Sequence, residues 1–256
     1  MMIAIDIGNT NTGIALLDCR ERSRPVRKVE YVKTGFQGCF EKRMIKALRA
    51  MDYESTALDS VVVCSVSPKA LTIVKRCVKK VFNVSPKVVG KDIIVPIKNR
   101  YEDPRQVGQD RLVCAYAAME LYGAPAVVVD LGTAITFDVV SKRKEYLGGM
   151  IVPGLRLSAE ALYNKTALLP QIDIHKPKRL IGKTTEESIL SGLFYGYGEM
   201  IKGVIDLLVK QSHEEPKIVV TGGYSDLMRH YVPQYKCIVE RDLIFKGISL
   251  LVKCQS

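Results

Sequence analysis

Residues Met2-Ile-Ala-Ile-Asp-Ile7 are apolar except at Asp6, and Gly8-Asn9-Thr10 follows them directly. A short apolar run closed by turn residues predicts a buried strand, and a second strand is predicted near 12–18. The same plan returns at 126–140. There Ala126-Val-Val-Val-Asp-Leu131 is the buried strand, Gly132-Thr133 the turn, and Ala134-Ile-Thr-Phe-Asp-Val-Val140 the returning strand. Asp6 and Asp130 hold matching places about half a chain apart, a repeat that predicts two related domains.

Between the hairpins the periodicity predicts a helix near 38–51, a strand at 60–66 and a helix near 68–81, with Pro68 in the first turn of the latter. A third helix is predicted over 109–122, with Leu112, Ala115, Tyr116 and Met119 on one face and Gly123 and Pro125 ending it. After the second hairpin come a strand at 145–152, the turn Pro153-Gly154 and a helix near 155–164. The longest helix begins at Thr184 or Thr185, where Thr184 and Glu187 have the spacing of a capping box. Along it Ile189, Leu193, Tyr197, Met200, Ile201, Val204 and Leu208 recur at helical spacing. Gly192 and Gly196 lie four apart on this helix. Each costs up to ~1 kcal/mol relative to alanine, which predicts close approach of another backbone. A strand at 217–221, the turn Gly222-Gly223 and a helix near 242–253 finish the chain. Strands interspersed with helices predict α/β layers, divided into domains 1–121 and 122–256 that face a central cleft.

Composition narrows the function classes. The chain has 256 residues, 47% hydrophobic and 25% charged, values ordinary for a folded domain. No uncharged apolar run approaches the ~18 residues that a membrane-spanning helix needs. The opening Met-Met-Ile-Ala-Ile meets Asp6 without a basic leader, so a signal peptide is not expected and the cytoplasm is the expected location. Seven scattered cysteines (Cys19, Cys39, Cys64, Cys77, Cys114, Cys237, Cys254) include no C-x-x-C pair and read as reduced thiols. His175, His213 and His230 are too far apart in sequence to suggest a zinc site. The formal charge of +11 suits an anionic partner, nucleotide or nucleic acid, or else a solvated basic face. Its clusters are Arg20, Arg22, Arg24, Arg27 and Lys28; Lys75, Arg76, Lys79 and Lys80; and Lys142, Arg143 and Lys144.

Three segments carry candidate chemistry. In Asp6-Ile7-Gly8-Asn9-Thr10-Asn11-Thr12 an aspartate ends a strand and a glycine lets the backbone turn. The turn amides, with the Thr10 and Thr12 hydroxyls, are placed to hold phosphate oxygens while Asp6 orients a hydrated cation. Asp130-Leu-Gly132-Thr133 offers the same chemistry from the other half. An Asx-type hairpin turn explains one copy as well; two copies favour a clamp for a polyphosphate. The third segment is Gly108-Gln109-Asp110-Arg111 at a helix start. Asp110 there can cap the helix, or accept or orient an acceptor hydroxyl's proton, since phosphoryl transfer depends mainly on positioning and charge neutralisation. Arg111 can bind a substrate carboxylate or the transferring phosphoryl group, or form a surface ion pair. Two common nucleotide motifs are excluded. Gly182-Lys183-Thr184 lacks the P-loop's first glycine because Pro177 stands there, and Gly196-Tyr-Gly198 lacks a dinucleotide fingerprint's third glycine because Ile201 stands there.

These segments together resemble the type III pantothenate kinases. The likeness is carried by Asp6-Ile-Gly-Asn-Thr10, by Tyr101 through Asp103-Pro104 to Gly108-Gln-Asp110-Arg111, and by Asp130-Leu-Gly-Thr-Ala134. It continues through Gly148-Gly149, Pro153-Gly154, Thr166-Ala-Leu-Leu-Pro170, Gly182-Lys-Thr-Thr185-Glu-Glu and Thr221-Gly-Gly223. The resemblance implies an actin/hexokinase (ribonuclease H-like) fold and phosphorylation of pantothenate's primary hydroxyl by ATP, the first step towards coenzyme A. It implies Mg²⁺, a monovalent cation (potassium or ammonium) and a homodimer. By the same resemblance Asp110 is the base, and Tyr101, Gly108, Gln109 and Arg111 line the pantothenate site. Thr185 reaches that site from the partner subunit. Asp6, Ile7, Gly8, Asn9, Thr10, Asn11, Thr12, Gly132 and Thr133 form the ATP turns, and Asp130 takes the monovalent cation. The long helix's apolar stripe and glycines suit a helix packed on its symmetry mate, or packing inside one subunit.

Two other readings stay open. The charge admits a nucleic-acid-binding regulatory accessory protein on the same fold. Against it, the basic clusters have little aromatic interleaving and no recognition motif, so nucleic acid is not the expected partner. The fold also admits a kinase or phosphohydrolase acting on another small hydroxyl substrate.

Overall fold

The apolar run ended by Asp6-Ile7-Gly8 forms β1 (Met2–Ile7), which turns back into β2 (Asn11–Leu17), and β3 (Val26–Lys33) adds to it. The computed structural model describes residues 1–18, 21, 25–34, 40–51, 53, 58–212, 214–231 and 237–253. In chain order there follow α1 (Phe40–Ala50), β4 (Ser60–Ser65), α2 (Pro68–Phe82), β5 (Lys87–Val88), β6 (Lys98–Asn99) and α3 (Gln109–Tyr122). Then come β7 (Ala126–Leu131), β8 (Ala134–Val140), β9 (Glu145–Pro153), α4 (Leu155–Lys165) and α5 (Thr185–Ser212). The chain ends in β10 (Lys217–Thr221), α6 (Ser225–Met228), β11 (Ile238–Val239) and α7 (Leu243–Lys253). The chain divides into two units, Met1–Ala117 with Asp242–Ser256, and Ala118–Arg241.

In the first unit the sheet order is β3-β2-β1-β4-β5, antiparallel as far as β1 and parallel beyond it. Ile3, Ile5, Ile7, Ile14, Leu16, Val61 and Val63 point to one face, where Met44, Leu48, Val74 and Val78 of α1 and α2 complete a core. Period-2 alternation meeting period-3.6 stripes is what makes this two-layer packing. The start of α2 is set by Pro68 and by the Ser67 side chain, which accepts the Ala70 amide at 3.4 Å. Asn83, left-handed at φ 56°, ends it. Helix α3 departs from the one-faced expectation. All residues from Leu112 to Met119 are buried, so this helix is covered all round rather than along a stripe.

The second unit repeats the plan, with strand order β11-β10-β7-β8-β9. β8 pairs antiparallel with β7 and β9 antiparallel with β8, while β10 and β11 run parallel to β7 on its other side. Even the irregularities match, with register shifts at Leu16/Leu17 against β3 and at Val139/Val140 against β9. Val127, Val129, Ile135 and Phe137 pack there with Phe194, Ile201 and Ile205 of α5.

The expected boundary at 121/122 misplaces the C-terminus, because α7 returns to the first unit. It buries Leu243, Phe245, Ile248 and Leu251. Its close approach is allowed by two glycines: a side chain at Gly13 would meet the Phe245 ring, and one at Gly247 would meet Val113. Strand β3 was not expected, because its basic residues hide a half-buried alternation. It lies at the end of the sheet order, where charged side chains protect an open edge. Arg27 and Lys28 thereby gain a place, whereas Arg20, Arg22 and Arg24 lie outside the described residues. The described cysteines Cys64, Cys77, Cys114 and Cys237 form no disulfide, and Cys19, Cys39 and Cys254 lie outside the described residues. No helix among the described residues is long and apolar enough to cross a membrane.

One buried polar group holds β8 to β9. Asp138 is 1% exposed and accepts the Tyr146 hydroxyl at 2.7 Å and the Thr136 hydroxyl at 2.8 Å. Replacing Tyr146 by Phe removes a donor from a buried carboxylate and should lower unfolding free energy by about 1–3 kcal/mol, read from urea denaturation. An unchanged midpoint would show that the hydroxyl contributes nothing.

Candidate active site

The central strands β1 and β7 share one burial pattern. Both are buried throughout except at Asp6 and Asp130, which are half-buried one residue before the strand end. Asp6 pairs laterally with Cys64 of the parallel strand β4, and Asp130 with Thr221 of β10. Each aspartate thus stands at the carboxyl end of a sheet, where a turn exposes backbone amides.

The first turn closes with the Gly8 amide donating to the Asn11 carbonyl at 3.1 Å. Asn9 and Asn11 are exposed and Thr10 is half-buried, so the tip is accessible to a ligand. Thr12 is placed otherwise than expected. It is fully buried, and its hydroxyl lies 3.0 Å from that of Thr34. The Thr34 hydroxyl donates to the Gly8 carbonyl at 3.0 Å, so Thr12 must be the donor to Thr34. The Thr34 amide in turn donates to the Thr10 carbonyl at 2.9 Å. Thr12 therefore braces the turn from beneath instead of reaching a phosphate. Ile7, also fully buried, contributes backbone alone.

The second turn is one residue tighter. Register runs to Leu131↔Ile135, against Ile7↔Thr12 in the first, and the Gly132 amide donates to the Ala134 carbonyl at 3.2 Å. Thr133 is exposed and Gly132 half-buried. Two glycines hold this turn by close approach. A methyl group at Gly154 would collide with the carbonyl oxygens of Gly132 and Thr133, and the Gly154 amide donates to the latter at 3.0 Å. A methyl group at Gly222 would collide with the Asp130 carboxylate, and φ +88° there disfavours any side chain. The Tyr224 amide donates to the Leu131 carbonyl at 3.2 Å, seating the loop after β10 on the turn.

The Gly-Gln-Asp-Arg segment sits where α3 begins. Oδ1 of Asp110 accepts the Arg111 amide at 2.9 Å, a bond that fixes the carboxylate over the first helical turn. A Cβ at Gly108 would strike that oxygen and displace the carboxylate. The Gln109 side chain packs on Gly90, itself at φ +83°. Arg111 is half-buried with Nη2 enclosed. Tyr101 is half-buried, and its amide is held by the Asn99 side chain at 2.9 Å.

Cys64 pairs with Asp6 across β1 and β4. Burial first, then the charges of Asp6 and Asp110, push this thiol's pKa well above its ordinary value. Cys64 is thus a buried neutral thiol beside Asp6 on the neighbouring strand. Among the described residues no three His, Cys, Asp or Glu side chains gather into a metal cage.

Thr185 is exposed as the first residue of α5. The cap preceding it is a variant of the expected box. Thr184 accepts the Glu187 amide at 3.1 Å, but the Glu187 carboxylate reaches the Lys183 amide at 2.8 Å. A cavity of about 370 Å³ in the second unit, lined among others by Pro125, Val139, Leu208 and Pro216, shares no residue with these segments. Thr34, Cys64, Gly154 and Gly222 were not foreseen as parts of the site. For Gly154 and Gly222 the available signal was a glycine beside a strand end.

A family model for type III pantothenate kinase matches residues 2–207. The chain is similar to the type III pantothenate kinase of Halalkalibacterium halodurans, 35% identical over 99% of both chains. It is also similar to that of Persephonella marina, 40% identical over 89% of both. Among solved structures, a ROK family glucokinase from Streptomyces griseus in complex with glucose and AMPPNP aligns with a TM-score of 0.55. That alignment covers 98% of this chain and 99% of the other at 13% identity, a likeness of fold.

Gly154→Ala tests the glycine contact. The turn has to move, and affinity for a non-hydrolysable ATP analogue should fall about tenfold or more by calorimetry, equivalent to about 1.4 kcal/mol. Circular dichroism checks that the fold is kept, and unchanged affinity would show that the turn tolerates displacement.

Proposed function

The chain belongs to the type III pantothenate kinase family, and on that premise we propose how its residues divide the work of phosphorylating pantothenate with ATP, the first step of coenzyme A biosynthesis. The observation that carries the assignment of roles is the matched placement of Asp6 and Asp130 at the ends of β1 and β7 beside accessible turns, with the Asp110 carboxylate fixed at the start of α3. Asp6 and Asp110 both belong to the first unit.

Asp110 is the group that receives or orients the proton of pantothenate's primary hydroxyl. As that oxygen bonds to the γ-phosphorus, the bond from phosphorus to the departing ADP oxygen breaks and the proton passes to the Asp110 carboxylate. The Arg111 amide donates to one oxygen of that carboxylate at 2.9 Å and so fixes its orientation at the start of α3. Little driving force is asked of this base, because phosphoryl transfer depends mainly on position and charge neutralisation. Arg111 and Tyr101, with Gly108 and Gln109, serve the pantothenate side. Gly8 to Asn11, Gly132 and Thr133 serve the phosphates through amides and hydroxyls, and Thr12 supports them indirectly.

Two hard carboxylate oxygens near phosphate-binding amides suit Mg²⁺, which is ordinarily held by one or two carboxylates together with the substrate's phosphates. Asp6 would hold it through water, and the ion would neutralise polyphosphate charge. Asp130, at the second turn, would hold potassium or ammonium. The cytoplasm is the location that suits this metabolism.

Asp110→Asn should lower turnover by about 100-fold or more while the protein folds normally. Mass detection of phosphopantothenate, after incubation with pantothenate, Mg²⁺-ATP and potassium or ammonium, is the readout. Unimpaired turnover would remove Asp110 from the mechanism, and phosphate release without acceptor would favour a hydrolase.

A homodimer built on α5 belongs to the same reading. Gly192, Gly196 and Gly203 have open space where a Cβ would stand, so the described chain supplies no close neighbour to explain them. Leu207, 67% exposed, continues that side of the helix, and Thr185 begins it. Gly196→Arg should convert a dimer to a monomer in sedimentation velocity and reduce turnover with it. A variant that stays dimeric would exclude this side as the interface.

A further inference from the structure

We propose that the outer side of α1 and α2 is a docking surface for the phosphate backbone of duplex nucleic acid. The sequence shows these charges only as scattered clusters, and the fold gathers them. Helices α1 and α2 pack on each other and on one face of the first sheet. Together they carry nine Lys and Arg residues and a single acid, Glu41. Ten of their positions are exposed: Lys42, Lys46, Arg49 and Ala50 of α1, and Pro68, Lys69, Thr72, Arg76, Lys79 and Lys80 of α2. Seven of the ten are cationic and none is acidic. Glu41 is half-buried and already engaged by Lys80 at 2.9 Å.

Ordinary surface helices interleave opposite charges three or four residues apart, because such pairs stabilise and like pairs destabilise. Here Lys42–Lys46, Lys46–Arg49, Arg76–Lys79 and Arg76–Lys80 are all like pairs at those spacings. The arrangement disfavours the isolated helices, and a polyanion lying along them would reverse the effect. By helical rise the two elements extend about 16 and 22 Å. A duplex presents a phosphate charge about every 1.7 Å of axis, so several cations meet phosphates together. None of the large exposed hydrophobic residues lies on α1 or α2. That favours a hydrophilic polyanion over a membrane, which interfacial helices enter with apolar side chains. Without base-reading elements, the binding expected is independent of sequence.

The test is fluorescence anisotropy of the intact protein with a labelled mixed-sequence duplex, titrated at several salt concentrations. Engagement of about five phosphates gives a slope of log affinity against log salt near −4.5, so affinity should fall roughly 500-fold between 50 and 200 mM salt. The double variant Arg76→Glu with Lys79→Glu should weaken binding at least about tenfold at low salt and reduce the slope by about two, with pantothenate phosphorylation unchanged. Lys42→Gln with Lys46→Gln gives a second, milder probe of the same surface should the first pair disturb folding. The variant Lys142→Glu with Arg143→Glu, exposed in the second unit, should bind as wild type. No duplex binding at low salt would overturn the proposal. So would equal losses in the 142/143 variant, or capture by phosphatidylserine vesicles without capture of duplex.

Discussion

A strand buried on both faces can place a charge only at its end. β1 and β7 are such strands, and each exposes a single position, Asp6 or Asp130, one residue before its carboxyl terminus. The rest of the site follows from that constraint. Parallel neighbours β4 and β10 end at the same level, so the loops leaving them pass beside the aspartates. The chemistry gathers where the sheets stop being apolar, as ligand sites in α/β sheets generally do.

The two halves reach the same geometry by different interactions. Around the first turn a relay of hydroxyls runs from Thr12 to Thr34 to the Gly8 carbonyl, beneath a buried surface. Around the second, Gly154 and Gly222 remove side chains altogether and let backbone lie on backbone. A hydroxyl relay adjusts by rotation about single bonds, whereas close-packed backbones adjust hardly at all. The duplicated topology therefore does not imply duplicated tolerance, and the second turn is the more rigid of the pair.

Much of this was legible in the sequence for stated reasons. The paired hairpins could be read because both apolar runs are broken at one aspartate and closed by glycine. α3 was placed at 109–122 with the right ends, since Gly123 and Pro125 punctuate it, but eight consecutive buried residues carry no periodic signal from which its full enclosure could be read. β3 was hidden by its charges, and the return of α7 to the first unit depends on contacts of Gly13 and Gly247 that no local pattern encodes. Thr12 was read as a ligand contact because its hydroxyl has the right chemistry; the partner that claims it, Thr34, lies 22 residues away.

The enclosure of α3 has a dynamic consequence. Segments with many buried contacts open only with large portions of the molecule, whereas exposed elements fray on their own. Asp110 is bonded to the first turn of a helix whose residues from Leu112 to Met119 are all sealed from water. Its carboxylate is thus tied to the slowest-breathing kind of segment, and thermal fluctuation of the surrounding loops can proceed without loosening the group proposed to receive the proton.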